Sequence, residues 1–467
     1  MDRSERGRVV AGLHLPHAHV LGVDGRGMSG LAQSLVQKGM AVTGSEPAHG
    51  RALSGLRGYG VRVGAELTPR AITARTRLLV HGPEVGPEHS ARLGALRRGV
   101  RQETPAGWLR GQMRGRLGVT VSGGREAGVA AAMTGFVLAQ AGFDPSVLLG
   151  TAAPQLGGWS RDGLGPHLIA EWGGGVEDLA SLRPQVAVLL NVGSDPWVDL
   201  DCWADALRRS FRALPDDAHV LALGHPSLLD CRPGSCGVPG RFEWVSLQRG
   251  GDWWGTDLRE DSGRFRFRVF HRGRYVIEVR LRVPGRRAVV AALAAVAACD
   301  LLGVPASAVR QGLEEFSGLS RDFETRGSFR GVTLVDDESD DAASVRDALA
   351  LARRTFGGRR LWAVYAAPGP GEPRRFLSAF ADADRVLITE RVSAGRRPQA
   401  AGGSSRAWAQ ALTDAGVEAR RAVNLVEAVS DLDRHLEPGD VLLTLGAGDV
   451  GTIADAFIRR LPRDRQG

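Results

Sequence analysis

The stretch from Gly118 to Pro145 has the order of a nucleotide-binding site: a buried strand, a glycine turn and a helix. In such a turn, backbone N–H groups, a lysine and a hydroxyl hold the phosphates and the magnesium ion of a nucleotide. The turn reads Gly123-Gly124-Arg125-Glu126-Ala127-Gly128-Val129. Ala127 and Gly128 stand where the lysine and the hydroxyl are needed. The sequence therefore predicts a phosphate loop that has been either rewritten or lost.

The positions of the charged residues indicate whether this turn could bind a phosphate. Lys38 is the only lysine, and it lies far from the turn, near the end of the first predicted helix. Arg125 could replace the missing cation, but a guanidinium differs in shape from an ammonium, and Glu126 offsets its charge. Two like charges ~4 Å apart repel by ~4 kcal/mol at an intermediate dielectric. We therefore expect the turn to reject a polyphosphate.

A second glycine turn lies near the N-terminus, between a short apolar strand and an amphipathic helix. Gly25, Gly27 and Gly30 form a G-x-G-x-x-G pattern, which permits a tight turn and close approach of a phosphate to the helix N-terminus. The next strand ends at Ser45–Glu46, where ribose hydroxyls are usually bound. The pattern predicts a dinucleotide-type site, and a purely structural turn is the alternative.

Composition limits the class of protein. The 467 residues are 43% hydrophobic and 24% charged, which is typical of a soluble globular chain of two to four domains. No apolar run reaches the roughly 20 residues that span a bilayer, and the N-terminus does not resemble a signal peptide. We expect a cytoplasmic protein without membrane insertion. The net charge of +8 comes from dispersed arginines, so nucleic-acid binding is not favoured.

The cysteines do not predict a metal site. They are Cys202, Cys231, Cys236 and Cys299, and only the middle two are close in sequence. Their spacing is not that of zinc ligands, and no second Cys/His pair lies nearby. We expect ordinary reduced thiols.

Strands and helices alternate along the chain, which predicts parallel, doubly wound sheets. Residues 102–116 resemble a linker, and 393–406 a mobile loop. The strands within 241–283 alternate in period two and predict a small antiparallel patch. An alanine-rich buried helix is expected within 283–305, and another helix begins near Ala342.

The order of these blocks resembles the Mur ligase family, in the branch that joins UDP-N-acetylmuramate to L-alanine. The similar stretches include "GVDGRGMSGLAQSL", "AGFDPSVLLG", "PHLIAEW", "RPQVAVLLNVGSD", "FSGLSRDFE" and "DVLLTLGAGDV". The resemblance implies a three-domain α/β architecture. It consists of a Rossmann-like domain for the UDP-sugar (1–114), a central P-loop-like domain with a small antiparallel sheet (115–320) and a Rossmann-like C-terminal domain (321–467), which closes over ATP. It also implies a ligase that uses ATP and Mg²⁺.

Against the family pattern, the ATP site is altered at several positions. The family loop G-T-H-G-K-T-T aligns on 123–129, so Ala127 replaces its lysine and Gly128 its magnesium-binding hydroxyl. Glu171 matches a metal ligand and remains, as do Asn191, Asp195, Asp336 and Asp337. Gly173–Gly175 replace an acidic cluster of the family, Pro196 replaces a metal-binding histidine, and Asp322 replaces an arginine. Ala288 and Ala291 replace asparagines near adenine, and Asp340 and Asp341 replace a histidine pair. Residues 366–372 lack the basic residues that the family carries there.

The N-terminal site departs less from the family. The residues that the resemblance assigns to the UDP-sugar are Gly22, Gly25, Arg26, Gly27, Met28, Ser29, Gly30, Ser45 and Glu46. Asp24 replaces a family glycine, and residues 81–84 replace small hydroxylated residues expected near the sugar. The loop at 446–449 is either an amino-acid-binding loop or a structural turn.

Three hypotheses follow from these substitutions. The first is a protein of the UDP-N-acetylmuramate–L-alanine ligase branch that has lost ATP-driven ligation and acts as a UDP-sugar-binding or regulatory pseudoenzyme. The second is an active ligase with a rewired phosphate site, supported by Glu171, Asp195 and Asp337. The third is a structural partner of another cell-wall enzyme.

Overall fold

The computed structural model describes residues 15–23, 25, 27–46, 51–64, 72–174, 179, 181–190, 208–223, 241–367, 373–390 and 403–460. Several predictions concern residues outside these ranges: Asp24, Arg26, Gly175, Asn191, Asp195, Pro196, Cys202, Cys231, Cys236, 368–372 and 393–402.

The N-terminal unit is a five-stranded parallel sheet of order β3-β2-β1-β4-β5. Its elements are β1 (His17–Leu21), α1 (Met28–Gln37), β2 (Ala41–Ser45), α2 (Arg51–Gly58), β3 (Arg62–Gly64), β4 (Thr76–His81), α3 (Ser90–Arg97) and β5 (Arg101–Glu103). A glycine turn follows β1 directly, so Gly22, Gly25 and Gly27 lie at the carboxyl edge of the sheet, where ligands of such sheets bind.

The predicted linker at 102–116 is wrong in its middle, because Pro105–Met113 forms helix α4. Thr104 caps this helix by accepting a hydrogen bond from the Gly107 N–H, and proline occupies the first helical position. Both are strong helix-start signals, since the first N–H groups of a helix have no intrahelical partner.

The central unit is a ten-stranded sheet of order β15-β14-β13-β12-β11-β10-β6-β9-β7-β8. Its strands are β6 (Leu117–Ser122), β7 (Ser146–Ala153), β8 (Gly158–Arg161), β9 (His167–Glu171), β10 (Val186–Leu189), β11 (His219–Leu223), β12 (Arg241–Ser246), β13 (Trp253–Asp261), β14 (Arg264–His271) and β15 (Arg274–Arg280). Its helices are α5 (Gly124–Gln140), α6 (Arg286–Leu301) and α7 (Ala306–Glu315). The alanine-rich helices α5 and α6 pack together in its core, as expected for the stretch 283–305.

The antiparallel patch needs one correction. Strands β13, β14 and β15 are antiparallel, but β12 runs parallel to β11 and β13, so residues 241–247 extend the parallel sheet. Glu243, Trp244 and Val245 of β12 are buried in succession, so both faces of this strand are covered, and alternation in the sequence alone does not fix strand direction.

The C-terminal unit is a six-stranded sheet of order β16-β17-β21-β18-β19-β20 in which only the β16–β17 pair of the described strands is antiparallel. The strands are β16 (Glu324–Phe329), β17 (Val332–Asp337), β18 (Leu361–Ala367), β19 (Arg385–Glu390), β20 (Ala419–Ala422) and β21 (Val441–Leu445). The helices are α8 (Ala342–Phe356), α9 (Gly403–Asp414), α10 (Leu425–His435) and α11 (Thr452–Ile458). Helix α8 begins at the residue predicted, whereas 403–406 belongs to α9 and not to a loop.

Across the ranges that the structure describes, no helix is both long and apolar enough to cross a bilayer.

Candidate functional site: two glycine turns and an ion cluster

The first glycine turn connects β1 to α1. Gly22 and Gly27 have φ angles of 71° and 74°, in the left-handed region that favours glycine. The Ser29 hydroxyl donates to the Val23 carbonyl, and the Met28 N–H donates to Gly25. The backbone of the turn is therefore held by internal hydrogen bonds, and Ser29 contributes its hydroxyl to the loop itself.

Gly30 has a packing role that the sequence pattern did not reveal. A Cβ at this position would lie 2.6 Å from the Leu149 carbonyl oxygen and 3.1 Å from that of Trp159. Helix α1 therefore packs against the β7–β8 hairpin of the central unit at backbone distance. The buried Gln33 reinforces the contact by accepting from the Trp159 N–H at 2.8 Å and donating to the Gly157 carbonyl at 2.7 Å.

Ser45 lies at the end of β2, as predicted, but it is buried, and its hydroxyl is 2.7 Å from Nε2 of His19. Nδ1 of His19 is 2.7 Å from the Thr43 hydroxyl, which also contacts His17. Burial, with a smaller effect of His17, lowers the pKa of His19 to about 4. The sequence analysis missed this histidine ladder, although two histidines at alternate positions of β1 share one face of the strand.

An acidic side chain lies against the same turn. Ideal Cβ positions at Gly82 and Gly22 lie 2.0 Å and 3.9 Å from Oε1 of Glu84. Glu84 thus packs on Gly82, directly after β4, and brings a carboxylate close to the loop expected to hold a diphosphate. A carboxylate in this position disfavours an anion.

The second glycine turn connects β6 to α5. Gly123 and Gly124 have φ angles of 114° and 47°, and a Cβ on Gly123 would overlap the Leu190 carbonyl oxygen at 1.3 Å. Only glycine fits at 123, so the backbone of a strand–turn–helix site is present. Glu126, Ala127, Gly128 and Val129 are buried in the first turns of α5.

Glu171, at the end of β9, lies beside this turn. An ideal Cβ at Gly128 would be 3.0 Å from Oε2 of Glu171, and the same oxygen accepts a hydrogen bond from the Gly150 N–H at 2.8 Å. The structure therefore brings together the two positions at which the family resemblance places a metal-binding hydroxyl and carboxylate.

Arg125 leaves the turn and points to the C-terminal unit. Its guanidinium donates to Asp322 at 3.1 Å, to Ser339 at 3.1 Å and to Asp337 at 3.5 Å. Burial opposes the charged form, but Asp337 and Asp322 raise the pKa of Arg125. We call Arg125, Asp322, Asp337 and Ser339 the interdomain ion cluster.

Asp337 is the fully buried centre of this cluster. It accepts from the N–H groups of Phe323 and Ser339, both at 2.8 Å, and from the Ser339 hydroxyl. Burial raises the pKa of Asp322, an effect that Arg125 opposes and Asp337 increases. The cation of Arg125 thus compensates two carboxylates that would otherwise repel each other.

The predicted loop at 446–449 is bound by Arg321, a residue that the sequence analysis did not single out. Arg321 donates to the carbonyl groups of Gly446 and Gly448 and to the Asp336 carboxylate at 3.2 Å. Asp341, at a predicted histidine position, instead caps α8 by accepting from the Ala343 and Ser344 N–H groups.

Two family models match the chain: "Mur ligase family, catalytic domain" over residues 17–116 and "Mur ligase, glutamate ligase domain" over residues 323–448. The UDP-N-acetylmuramate–L-alanine ligase of Gloeobacter violaceus is 30% identical over an alignment of 461 residues that covers 95% of this chain and 95% of that one. The chain belongs to the Mur ligase family.

Solved structures of Mur ligases share this fold. The UDP-N-acetylmuramate–alanine ligase of Thermotoga maritima superposes with a TM-score of 0.77 at 21% identity, covering 95% of this chain and 98% of that one. The MurF ligase of the same organism, solved with ADP, gives a TM-score of 0.53 at 17% identity, covering 82% of this chain and 88% of that one. The predicted three-domain Mur ligase architecture is confirmed, whereas its boundaries at 114/115 and 320/321 stay predictions.

The described residues at the β6–α5 turn do not fit the ATP and Mg²⁺ that the Mur ligase family implies. Ala127 and Gly128 offer neither a cation nor an oxygen ligand, and Arg125 is committed to the interdomain ion cluster. Among the residues that the structure describes, no three His, Cys, Asp or Glu side chains are grouped so as to hold a metal ion. Magnesium prefers several oxygen ligands, and in the part of this site that the structure describes, Glu171 is the carboxylate that lies beside Gly128. One carboxylate is a poor ligand set.

Proposed function

We propose that this Mur ligase family protein has lost ATP-dependent ligation and acts in the cytoplasm as a UDP-sugar-binding or regulatory pseudoenzyme of peptidoglycan precursor synthesis. The similarity to UDP-N-acetylmuramate–L-alanine ligases over nearly the whole chain supports the assignment to this branch. The proposed loss concerns ATP, because the second glycine turn lacks the lysine and the hydroxyl that would bind its phosphates and magnesium ion.

The observation that carries the proposal is the orientation of Arg125. In a phosphate loop the cation faces the phosphates, and its charge stabilises the transferred group. Here the cation of the turn faces Asp322 and Asp337, 3.1 Å and 3.5 Å away. A nucleotide at this turn would have to compete with two carboxylates for Arg125, and it would gain nothing from Ala127 or Gly128.

The N-terminal turn supports retention of a ligand site. Its glycines, its strand–turn–helix order and the N-terminus of α1 remain suited to a diphosphate. Glu84 lies against the turn and argues for a changed sugar or a weakened diphosphate contact. We therefore propose a UDP-sugar resembling UDP-N-acetylmuramate as the ligand at Gly25–Gly30.

Calorimetric titration of the purified full chain with ATP–Mg²⁺, and separately with a UDP-aminosugar, tests the proposal. We expect no ATP binding tighter than about 100 μM, which corresponds to about −5.5 kcal/mol. A UDP-sugar at one hundred times its Kd should stabilise the fold by ~2.7 kcal/mol. Gly27→Trp should abolish this stabilisation, and a shift that survives would place the sugar elsewhere.

An active ligase with a rewired phosphate site is the second candidate, favoured by the position of Glu171 beside Gly128. Formation of a UDP-muramoyl-alanine product from UDP-N-acetylmuramate, L-alanine and ATP would establish it and overturn the first proposal. A role as structural partner of another cell-wall enzyme predicts neither ATP nor UDP-sugar binding.

A further inference from the structure

The interdomain ion cluster joins two units that the family resemblance expects to close around a nucleotide. Arg125 belongs to α5 of the central unit, whereas Asp337 ends β17 of the C-terminal unit. Asp322 and Ser339 flank Asp337 on the C-terminal side of the contact. The contact is therefore formed entirely by side chains of this protein.

The cluster combines two replacements that complement each other. Relative to the family pattern, position 322 has changed from arginine to aspartate, and position 125 from histidine to arginine. One cation has thus moved from the C-terminal side of the contact to the central side. Either change alone would leave the buried Asp337 with a repulsive or unpaired neighbour, which is costly in a low dielectric.

Neighbouring contacts join the same two units. Arg354 of α8 pairs with Glu260 of β13 at 3.3 Å. Leu351 of α8 lies 3.3 Å from an ideal Cβ at Gly285. The ion cluster is partly buried, whereas the Arg354–Glu260 pair is exposed.

We infer that the Arg125–Asp322–Asp337 cluster takes the place of the nucleotide as the connection between the central and C-terminal units, so that the protein is closed without ATP. This inference rests on the proposed loss of ATP binding and adds a mechanism by which the arrangement of a ligase is kept after the chemistry is lost.

Small-angle X-ray scattering of the full chain at pH 7.5, with and without ATP–Mg²⁺, tests this directly. We expect the unmodified protein to be compact and its radius of gyration to be unaffected by ATP–Mg²⁺. Arg125→Gln removes the cation from two carboxylates and should shift the radius of gyration to a larger value. The matched control Arg354→Gln breaks an exposed pair across the same interface and should leave it unchanged.

The charge exchange Arg125→Asp with Asp322→Arg supplies a second criterion. It restores one cation facing two carboxylates, so it should return the compact scattering profile that Arg125→Asp alone loses. Should Arg125→Gln fail to fold by circular dichroism, Asp322→Arg alone, which faces Arg125 with a like charge, replaces it as the opening variant. An unmodified protein that is extended and compacts on ATP–Mg²⁺, or an Arg125→Gln variant that stays compact, would overturn the inference.

Failure of the inference and failure of the proposed function give different results. A compact chain that also binds ATP tightly by calorimetry contradicts the proposed function and keeps the cluster as a connection. An extended chain that does not bind ATP keeps the proposed function and removes the cluster from it.

Discussion

The turns at 22–30 and at 123–129 have the same architecture but have diverged differently. Both follow a parallel strand, contain glycines with positive φ and lead into a helix. In the first, the Ser29 hydroxyl donates to the Val23 carbonyl of the loop itself. In the second, the described cation is Arg125, and its guanidinium donates to Asp322 of the C-terminal unit.

This difference shows that packing can require the glycines of a turn even where it does not require the side chains that would bind a ligand. Gly123 is fixed by the Leu190 carbonyl and Gly30 by the Leu149 carbonyl, so both are required by packing whether or not a ligand binds. A lysine at 127 or a hydroxyl at 128 has no such packing role. A glycine pattern can therefore persist whether or not the turn binds a nucleotide.

Restoring the second turn is the change with the largest expected effect. Glu126→Gly removes a carboxylate, while Ala127→Lys and Gly128→Thr add a phosphate cation and a metal hydroxyl. Charge-assisted contacts contribute ~1.5–3 kcal/mol each, so two of them should tighten ATP–Mg²⁺ binding by roughly 100-fold or more. Calorimetry measures this gain. If ligation has been lost as proposed, this variant should still form no product, because Asp322 still replaces the arginine.

The size-matched control carries Ala127→Met and Gly128→Val together with Glu126→Gly, and it should bind no better than the unmodified chain. A threonine at 128 must also displace Glu171 slightly, since its Cβ would lie 3.0 Å from that carboxylate. If the restored variant folds but binds no ATP, then the backbone of the turn, and not only its side chains, has diverged.

Acid should destabilise the N-terminal unit by the next largest amount. The unfolded chain takes up a proton on His19 near pH 6.5, whereas the folded chain does so only near pH 4. The contribution is therefore complete above pH 6.5 and is lost as pH falls toward 4, by about 3 kcal/mol. Urea unfolding at pH 7, 6 and 5 measures this decline.

His19→Gln keeps a polar contact to Thr43 or Ser45 without the titration, so its stability should decline less between pH 7 and 5. Burial also lowers the pKa of His17, His167 and His219, so part of the decline should persist. An equal decline in the variant and the unmodified protein would mean that His19 is not the group responsible.

The sequence predicted the fold well because periodicity and glycine turns report local backbone structure. Helix α8 and the buried helix α6 were placed correctly, and the alternation of strands and helices indicated parallel sheets. The prediction was wrong at helix α4. Thr104 and Pro105 are a helix-start signal, but this stretch was predicted to be a linker.

The candidate site could be predicted only where its residues are close together in the sequence. The altered turn at 123–129 could be read directly, but the partners of Arg125 lie 197 and 212 positions away in sequence. Nothing in the linear pattern of a single sequence pairs an arginine with an aspartate across that distance. The same reason hid the contact of Gly30 with the β7–β8 hairpin.

Two glycines of the first turn should respond differently to substitution, with the smallest effects of the set. Gly30→Ala places a methyl group 2.6 Å from the Leu149 carbonyl oxygen, so α1 must move off the central unit at a cost of about 1–3 kcal/mol. Gly27→Ala meets no atom within 4 Å, and only its positive φ costs about 1 kcal/mol.

Asparagine separates these two causes, because it adopts the left-handed region more readily than alanine. Gly27→Asn should therefore be more stable than Gly27→Ala, whereas Gly30→Asn should be no better than Gly30→Ala, since its Cβ meets the same carbonyl. Chemical denaturation of the four variants measures the order. Gly30 lies within α1 and has no positive φ, so its backbone conformation gives asparagine no advantage there. If Gly30→Ala and Gly30→Asn are as stable as the unmodified protein, then contact with the Leu149 carbonyl does not require glycine, and the packing argument is wrong.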